Sequence, residues 1–289
     1  MNYRDYVKSQ VSPENWAIVE TMHLNLDGEW LARVWSRYVD APQRWKTELP
    51  FLVEQLMEYY LPVDGDSPSD RGKTPTVFDA AAGSGATSIG LKLLGMDVFP
   101  NEMDDALRSA LRKEALRYGL IDATGKGLSW ATNGLFLTSY TWDSLPKDDF
   151  KPRYDAVLCL GNSLTYLHKR NDQLTALSNF RRVLRPGGKL IIDERNYPEM
   201  LKGNFRHDQS LLYCGNSLSA VPLHTYTSMV ILEIADKKNK GHLIMYPFKE
   251  GELEGLLRET GFKNIKRYGD YHSEFKPENV SFFTYVARK

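Results

Sequence analysis

The chain has 289 residues, and its 37 lysine and arginine residues are balanced by 37 aspartate and glutamate residues, so its net charge is zero. This balance argues against nucleic acid or an anionic membrane as the partner, since both need a basic face. No apolar run approaches the ~20 residues of a membrane span, and the N-terminus has no apolar signal segment. Two cysteines exclude a disulfide scaffold and a cysteine-rich metal site, so we expect a cytoplasmic protein without a metal centre.

The N-terminal part of the chain, residues 1–62, is predicted to form a helical arm. Asp27 is a candidate N-cap, and Pro42 is expected to interrupt the helical pattern before it resumes at Trp45–Tyr60. The arm either covers the sheet as an amphipathic layer or acts as a lid over a ligand. The side chains that would reach a ligand in the second case are Trp35, Tyr38 and Arg44.

A polar linker, residues 63–75, precedes a core at residues 76–196 in which short apolar strands alternate with helical runs. This alternation predicts an α/β protein with a Rossmann-like, doubly wound parallel sheet and right-handed crossovers. The predicted strands are Thr76–Ala81, Asp97–Glu102, Gly127–Thr132, Tyr154–Leu160 and Lys189–Glu194, and the predicted helices are Thr87–Leu94, Asp104–Tyr118 and Asp172–Leu184. Arg185–Gly188 is expected to be the turn into the last of these strands.

The alternation of strands and helices ends in residues 197–247. Consecutive strand-like runs there predict an antiparallel β insertion on the substrate side. These runs are Leu211–Cys214, Thr225–Ala235 and His242–Tyr246. Residues 248–289 are predicted to return to the core sheet as an antiparallel edge. Their elements are the helix Lys249–Thr260 and the strands Asn264–Tyr268 and Ser281–Ala287.

A glycine loop links the first predicted strand to the first helix of the core. Gly83 and Gly85 can take positive φ and bring bare backbone close to a ligand. The free N–H groups of the helix that follows suit a carboxylate, and Glu102 at the next strand tip is placed to hold a ribose diol. A dinucleotide fingerprint is excluded, because Ser88 stands where its third glycine would be.

The sequence Asp79-Ala80-Ala81-Ala82-Gly83-Ser84-Gly85 resembles the nucleoside-binding loop of class I S-adenosylmethionine (SAM) methyltransferases. The alternative interpretation is an ordinary strand-to-helix turn.

Polar residues follow the later strands, at the edge where class I sites lie. Asn133 follows the third strand and Asn162 the fourth, and either could simply serve turn chemistry. Arg195 follows the fifth strand. A guanidinium there is costly to desolvate without an anion, so it either pairs with a neighbouring acid or binds a substrate carboxylate through its planar fork.

The runs Leu160-Gly161-Asn162-Ser163 and Asp193-Glu194-Arg195-Asn196-Tyr197 make the resemblance more specific, since both look like the glycine N-methyltransferase family. The similarity extends from about residue 27 to the C-terminal part. It implies methyl transfer from SAM to the amine of glycine or of a methylated glycine such as sarcosine. The product would be S-adenosylhomocysteine, and the context betaine synthesis or methyl-group balance. The resemblance also permits a homo-oligomer.

The resemblance implies roles residue by residue. The cofactor-binding residues would be Trp35, Tyr38, Arg44, Ala81, Gly83, Glu102, Asn133 and Leu160. Gly161 and Asn162 would face the substrate amine as catalytic residues, and Arg195, Tyr213 and Tyr246 would join Asn162 in binding the substrate.

Three departures from the family pattern bear on the site. Gly134 replaces a tryptophan, Tyr166 stands where a histidine is expected, and a one-residue gap leaves the ribose role open between Glu102 and Asn101. Two other functions stay open as well: a SAM-dependent methyltransferase of another small carboxylate-bearing metabolite, and a SAM-binding protein without turnover.

Overall fold

A computed structural model describes residues 3–59, 74–121, 142, 154–205 and 218–289. The predicted strands Gly127–Thr132 and Leu211–Cys214 and most of the predicted linker lie outside these residues. Within them, no helix is long and apolar enough to cross a membrane.

The described residues form nine α-helices and nine strands. The helices are α1 (Tyr3–Gln10), α2 (Pro13–Thr21), α3 (Gly28–Tyr38), α4 (Ala41–Leu56), α5 (Ala86–Leu93), α6 (Asp105–Arg117), α7 (Arg170–Val183), α8 (Tyr197–Leu201) and α9 (Glu252–Glu259). The strands are β1 (Thr76–Asp79), β2 (Asp97–Pro100), β3 (Tyr154–Cys159), β4 (Leu184–Arg195), β5 (Ser219–Tyr226), β6 (Met229–Ala235), β7 (Lys240–Met245), β8 (Lys263–Gly269) and β9 (Phe282–Arg288).

The larger sheet has the strand order β2-β1-β3-β4-β9-β8 among the described strands. The first four strands are parallel, and β9 and β8 add an antiparallel edge. This arrangement confirms the predicted doubly wound α/β class and its antiparallel edge. β2 and β3 lie on opposite sides of β1, which places a topological switch point at the carboxyl end of β1.

Helices cover both faces of this sheet, which explains why the central strand β3 is buried along its whole length. Phe180 of α7 and Leu257 of α9 belong to the core on one face. Phe51, Leu52 and Leu56 of α4 pack on the other face. On strand β4 the side chains alternate, so Asp193 and Arg195 share one face of the sheet.

The second sheet is antiparallel, with the order β5-β6-β7, and it corresponds to the predicted insertion. Helices α1 and α2 pack against one of its faces through Val7 and Val19, which contact the cluster around Ile231. Trp30 of α3 belongs to the apolar cluster on the other face. Helix α3 therefore joins the second sheet to the core.

Several predicted boundaries are wrong for identifiable reasons. Thr225–Ala235 is not one strand, because a turn after Tyr226 divides it between β5 and β6. Pro42 does not interrupt a helix, since it lies in the first turn of α4, where its missing N–H costs nothing. Arg185–Gly188 lies within β4, next to a register shift, and α9 begins at Glu252 after Gly251, which has φ +75°.

Helix α4 is fixed to α5, the helix that follows the glycine loop. The indole Nε1 of Trp45 donates to the carbonyl of Ala86 at 2.6 Å. The Thr87 hydroxyl donates to the buried carboxylate of Glu48, also at 2.6 Å. A methyl group added at Gly90 would lie 2.7 Å from Trp45 Nε1. Gly90 is therefore needed for the close approach of these two helices.

We predict that Gly90→Ala destabilises the protein although alanine favours helices. In an open helix position this change should stabilise by up to ~1 kcal/mol, but here the indole of Trp45 must move. The matched control is Gly255→Ala in α9, where a Cβ meets nothing within 4 Å. Chemical unfolding should show opposite signs for the two variants, and a Gly90→Ala variant as stable as Gly255→Ala would contradict the close packing of α4.

Candidate active site

Three loops meet at the carboxyl ends of β1, β3 and β4, next to the switch point. They are the glycine loop after β1, the turn Gly161-Asn162 after β3, and the entry to α8 after β4. Sequence analysis predicted that these loops converge, and the strand order places them side by side.

Asp79, at the end of β1, holds the glycine loop in place through hydrogen bonds. The Ser88 hydroxyl donates to one Asp79 oxygen at 2.5 Å, and the Ala81 N–H approaches the other at 3.4 Å. Gly83 and Gly85 have φ of +57° and +91°. Burial raises the pKa of Asp79 to about 6. The serine that excludes a dinucleotide fingerprint thus ties the loop to the helix behind it.

Glu102 closes the other side of the glycine loop. Its carboxylate accepts the N–H of Gly83 and the N–H of Asp104, each at 2.8 Å. Burial raises the pKa of Glu102 to about 6. Asn101 is 1% exposed and its side chain donates to the carbonyl of Ala80. Of the two ribose candidates, Glu102 is therefore the side chain that faces the loop.

A small cavity lies between the loops, helix α3 and the second sheet. Its polar and aromatic lining is Trp35, Tyr38, Gly161, Asn162, Tyr166 and Arg195, and its apolar wall is Ala220, Leu232, Ile234, Leu243 and Met245. Five predicted site residues, from three separate parts of the chain, therefore share one cavity.

The turn Gly161-Asn162 is fixed by the buried carboxylate of Asp193. One Asp193 oxygen accepts the Gly161 N–H at 3.0 Å, and the other accepts the Asn162 N–H at 2.6 Å. Both turn residues have positive φ, +77° and +66°, a conformation that suits glycine and asparagine. Burial raises the pKa of Asp193 to about 6, against the lowering effect of the two N–H donors.

The Asn162 side chain links this turn to β4. Its Oδ1 accepts the backbone N–H of Arg195 at 3.0 Å, and its Nδ2 donates to the Tyr197 hydroxyl at 2.7 Å. Asn162 is 2% exposed, and Nδ2 also lies 2.9 Å from Met245 Sδ. The amide therefore bridges the two strand ends on which the predicted amine and carboxylate contacts lie.

Arg195 contributes a buried cation to the cavity wall. The residue is 4% exposed, and its guanidinium carbon lies 4.9 Å from the centre of the Phe282 ring. It also lines a second small cavity with Asn196, Asn204 and Ser281. A guanidinium in this setting matches the planar geometry of a carboxylate.

The N-terminal arm reaches the site through α3. A Cβ built on Gly83 would lie 3.6 Å from Trp35 Nε1, so the indole sits directly over the glycine loop. The ring centres of Trp35 and Tyr38 are 5.7 Å apart. Arg44 of α4 is buried and donates through Nε to Glu48 at 2.7 Å. It is thereby directed at the acid that anchors α4 to α5.

Other predicted residues lie elsewhere. Tyr246 is not among the residues that line the cavity beside α3, and its hydroxyl donates to Glu252 at 2.6 Å. Leu160 is buried directly before the turn, and its carbonyl accepts the Ser163 hydroxyl. Asn133 and Tyr213 lie outside the described residues.

His168 is partly buried against Tyr246. Burial lowers the pKa of His168 to about 4, so the imidazole is neutral at physiological pH. Its ring is not part of the cavity lining.

Sequence reasoning missed Asp193, Tyr197 and the apolar wall from the second sheet. The period-two alternation of β4 could have indicated Asp193, since it places this carboxylate on the face of Arg195. Nothing local marks the wall residues, because their position depends on how the second sheet packs on α3.

Two solved structures with the same fold are named as methyltransferases. A SAM-dependent methyltransferase from Clostridium acetobutylicum aligns with a TM-score of 0.63 at 15% identity, covering 89% of this chain and 97% of that one. The sugar N-methyltransferase KedS8 from Streptoalloteichus aligns with a TM-score of 0.51 at 16% identity, covering 84% and 87%. The chain therefore has the class I methyltransferase fold.

Sequence comparison carries the assignment further. The glycine/sarcosine N-methyltransferase of Parasynechococcus marenigrum is 30% identical over 263 residues, which cover 88% of this chain and 81% of that protein. The glycine N-methyltransferase of Mus musculus is 25% identical over 268 residues, covering 91% and 80%. No protein-family model matches the chain. The chain belongs to the glycine/sarcosine N-methyltransferase family.

One relative is much longer than this chain. The glycine/sarcosine/dimethylglycine N-methyltransferase of Actinopolyspora halophila is 30% identical over 256 residues, which cover 88% of this chain but 41% of that protein.

Proposed function

We propose that the protein is a SAM-dependent N-methyltransferase that methylates the amine of glycine or sarcosine. The observation that carries this proposal is the shared cavity, in which the buried Arg195 guanidinium and the Gly161-Asn162 turn face the same small space. Family membership supports both the donor and the class of acceptor.

The glycine loop and Glu102 fit the nucleoside and amino-acid parts of SAM. Gly83 offers backbone without a side chain beneath Trp35, and the Glu102 carboxylate can accept hydroxyl groups of a ribose. Bound there, the cofactor supplies a methyl carbon activated by a positive sulfonium. The electron-rich faces of Trp35 and Tyr38 favour a cation near the loop.

The acceptor needs two points of attachment because it is so small. Arg195 binds its carboxylate as a fork, and acceptor groups on the Gly161-Asn162 turn orient its neutral amine. Holding both ends fixes the direction of the nitrogen lone pair. In the best model systems, positioning of this kind supplies about 7–11 kcal/mol of a barrier. The apolar wall formed by Leu232, Leu243 and Met245 suits the methyl group of sarcosine.

The remaining predictions stay predictions: a cytoplasmic location, no nucleic-acid partner, a homo-oligomer, and the division of the chain at residues 62, 75, 196 and 247. Arg44, Asn133, Leu160, Tyr213 and Tyr246 also keep their proposed roles as ligand contacts.

A substrate panel tests the function directly. With labelled SAM, we expect label transfer to glycine or sarcosine and none to amines that lack a carboxylate. Dimethylglycine reports whether the cavity accepts a second N-methyl group. Transfer only to a different carboxylate-bearing amine would replace the assigned acceptor, and SAM binding without transfer to any amine would reduce the protein to a binding role.

We predict that Arg195→Lys raises the KM for the acceptor by about tenfold or more, since an ammonium cannot reproduce a bidentate contact. The Kd for SAM should change little. The matched control is Arg267→Lys, whose guanidinium also stacks on a ring, 4.7 Å from the centre of Phe283 and away from the cavity. Steady-state kinetics and calorimetry measure both quantities. Equal acceptor KM values for the two variants would remove Arg195 from the substrate site.

We predict that SAM affinity falls as the pH drops through about 6, because protonation of Glu102 removes acceptor capacity from its carboxyl group. Above that pH the carboxylate is ionised and can accept ribose hydroxyls. Glu102→Gln should bind SAM about tenfold more weakly at pH 7.5, the order of one charge-assisted hydrogen bond.

The same variant should also lose the part of the pH profile that Glu102 causes. Asp79 and Asp193 keep their own titration near pH 6 in both proteins, so the difference between the two profiles isolates Glu102. Superimposable profiles of Kd against pH would assign the ribose contact to another group.

A further inference from the structure

We propose that Tyr197 is a positioning residue for methyl transfer: its hydroxyl orients the Asn162 amide, which couples the amine-facing turn to Arg195. This inference rests on the proposed function, because it concerns the same acceptor site. Tyr197 itself does not line the cavity, so it acts through Asn162.

The Tyr197 hydroxyl lies within a fully buried polar cluster. Tyr197 is 0% exposed, and its oxygen lies 2.7 Å from Asn162 Nδ2 and 3.1 Å from Asn162 Oδ1. It also lies 3.4 Å from Thr165 Oγ1 and 3.5 Å from Met245 Sδ. Burial raises the pKa of Tyr197 to about 12, so the hydroxyl keeps its proton and can both donate and accept.

The hydrogen bonds of Asn162 show what this hydroxyl does. An amide has two donors and two acceptor sites. Its Oδ1 meets the Arg195 N–H and the Tyr197 hydroxyl, and its Nδ2 meets the same hydroxyl and Met245 Sδ. A phenylalanine at 197 would leave buried donor and acceptor capacity unpaired on Asn162, where water cannot replace it.

The consequence for the reaction follows from the position of the bridge. The Asn162 amide lies at the end of β3, and the backbone N–H that it accepts belongs to Arg195 at the end of β4. The first strand end presents the amine contacts and the second presents the carboxylate clamp. If the amide rotates, these two points of attachment lose their fixed spacing, and displacements of ~1 Å between reacting groups can cost about 100-fold in rate.

The same residue could be simple core packing, since a buried tyrosine fills space in the cluster formed with Met200 and Phe282. Tyr197→Phe keeps the ring and removes only the hydroxyl. A packing role predicts nearly unchanged kinetics in the folded variant, whereas a positioning role predicts a specific loss in the use of the acceptor.

The experiment compares wild type with Tyr197→Phe in labelled-SAM assays on glycine and sarcosine. We expect kcat/KM for the acceptor to fall about tenfold, with a Kd for SAM within about twofold of wild type. The matched control is Tyr285→Phe, which removes another buried hydroxyl, donated to Glu194 on the opposite face of β4. It should lower the melting temperature to a similar extent while its kinetics stay close to those of wild type.

A double-mutant cycle tests whether Tyr197 acts through Asn162. In an Asn162→Ala background, Tyr197→Phe should cause little further loss of kcat/KM, because the amide that the hydroxyl orients is gone. Full additivity, or wild-type kinetics in folded Tyr197→Phe, would overturn this inference while leaving the proposed function intact. Absence of glycine and sarcosine turnover in the wild type would overturn both.

Discussion

The site depends on one buried carboxylate, Asp193, which accepts the two successive N–H groups of the Gly161-Asn162 turn. Both turn residues have positive φ, which glycine and asparagine adopt readily, and the carboxylate supports the turn in this one conformation. The support comes from the neighbouring strand, two residues before Arg195. The turn proposed to face the amine is thereby held by the same short piece of β4 that carries Arg195, the residue proposed to bind the carboxylate. Their spacing is set by strand geometry, which is stiffer than a loop.

Buried carboxylates also hold the glycine loop of the site through hydrogen bonds. Asp79 holds the start of the glycine loop through Ser88, and Glu102 holds its middle through the Gly83 N–H. Burial raises the pKa of each of these acids, as it does for Asp193, so in this structure part of their charge is poorly compensated. A ligand that carries a sulfonium and an ammonium would supply compensating positive charge to this region. The acids shape the loops through these hydrogen bonds, and their negative charge would favour a cationic cofactor bound beside them.

The sequence predicts the parts of this site that local chemistry determines. The glycine loop, Glu102 and the residues that follow β3 and β4 are recognisable because they stand at strand ends in runs that resemble family motifs, since glycine or asparagine alone would also suit a turn. The apolar wall of the cavity was not predictable, because Leu232 and Leu243 look like any strand residues until the second sheet packs on α3. Tyr246 matches a family pattern, and its hydroxyl donates to Glu252, so its contact with the substrate stays a prediction. The division between β5 and β6 was missed because the turn after Tyr226 contains neither glycine nor proline.

The two interpretations of the N-terminal arm apply to different helices. Helix α4 is a cover: Leu52 and Leu56 are fully buried on the sheet, and Glu48 accepts hydrogen bonds from Thr87 and Tyr271. Lifting it would expose these apolar side chains and leave a buried carboxylate without its donors, which is too costly for a routine opening step. Helix α3 instead carries Trp35 and Tyr38 to the cavity, while its Trp30 packs against Gly241 of the second sheet. A movement of α3 that opens the cavity would therefore have to disturb its packing on the second sheet as well as its contacts with the core.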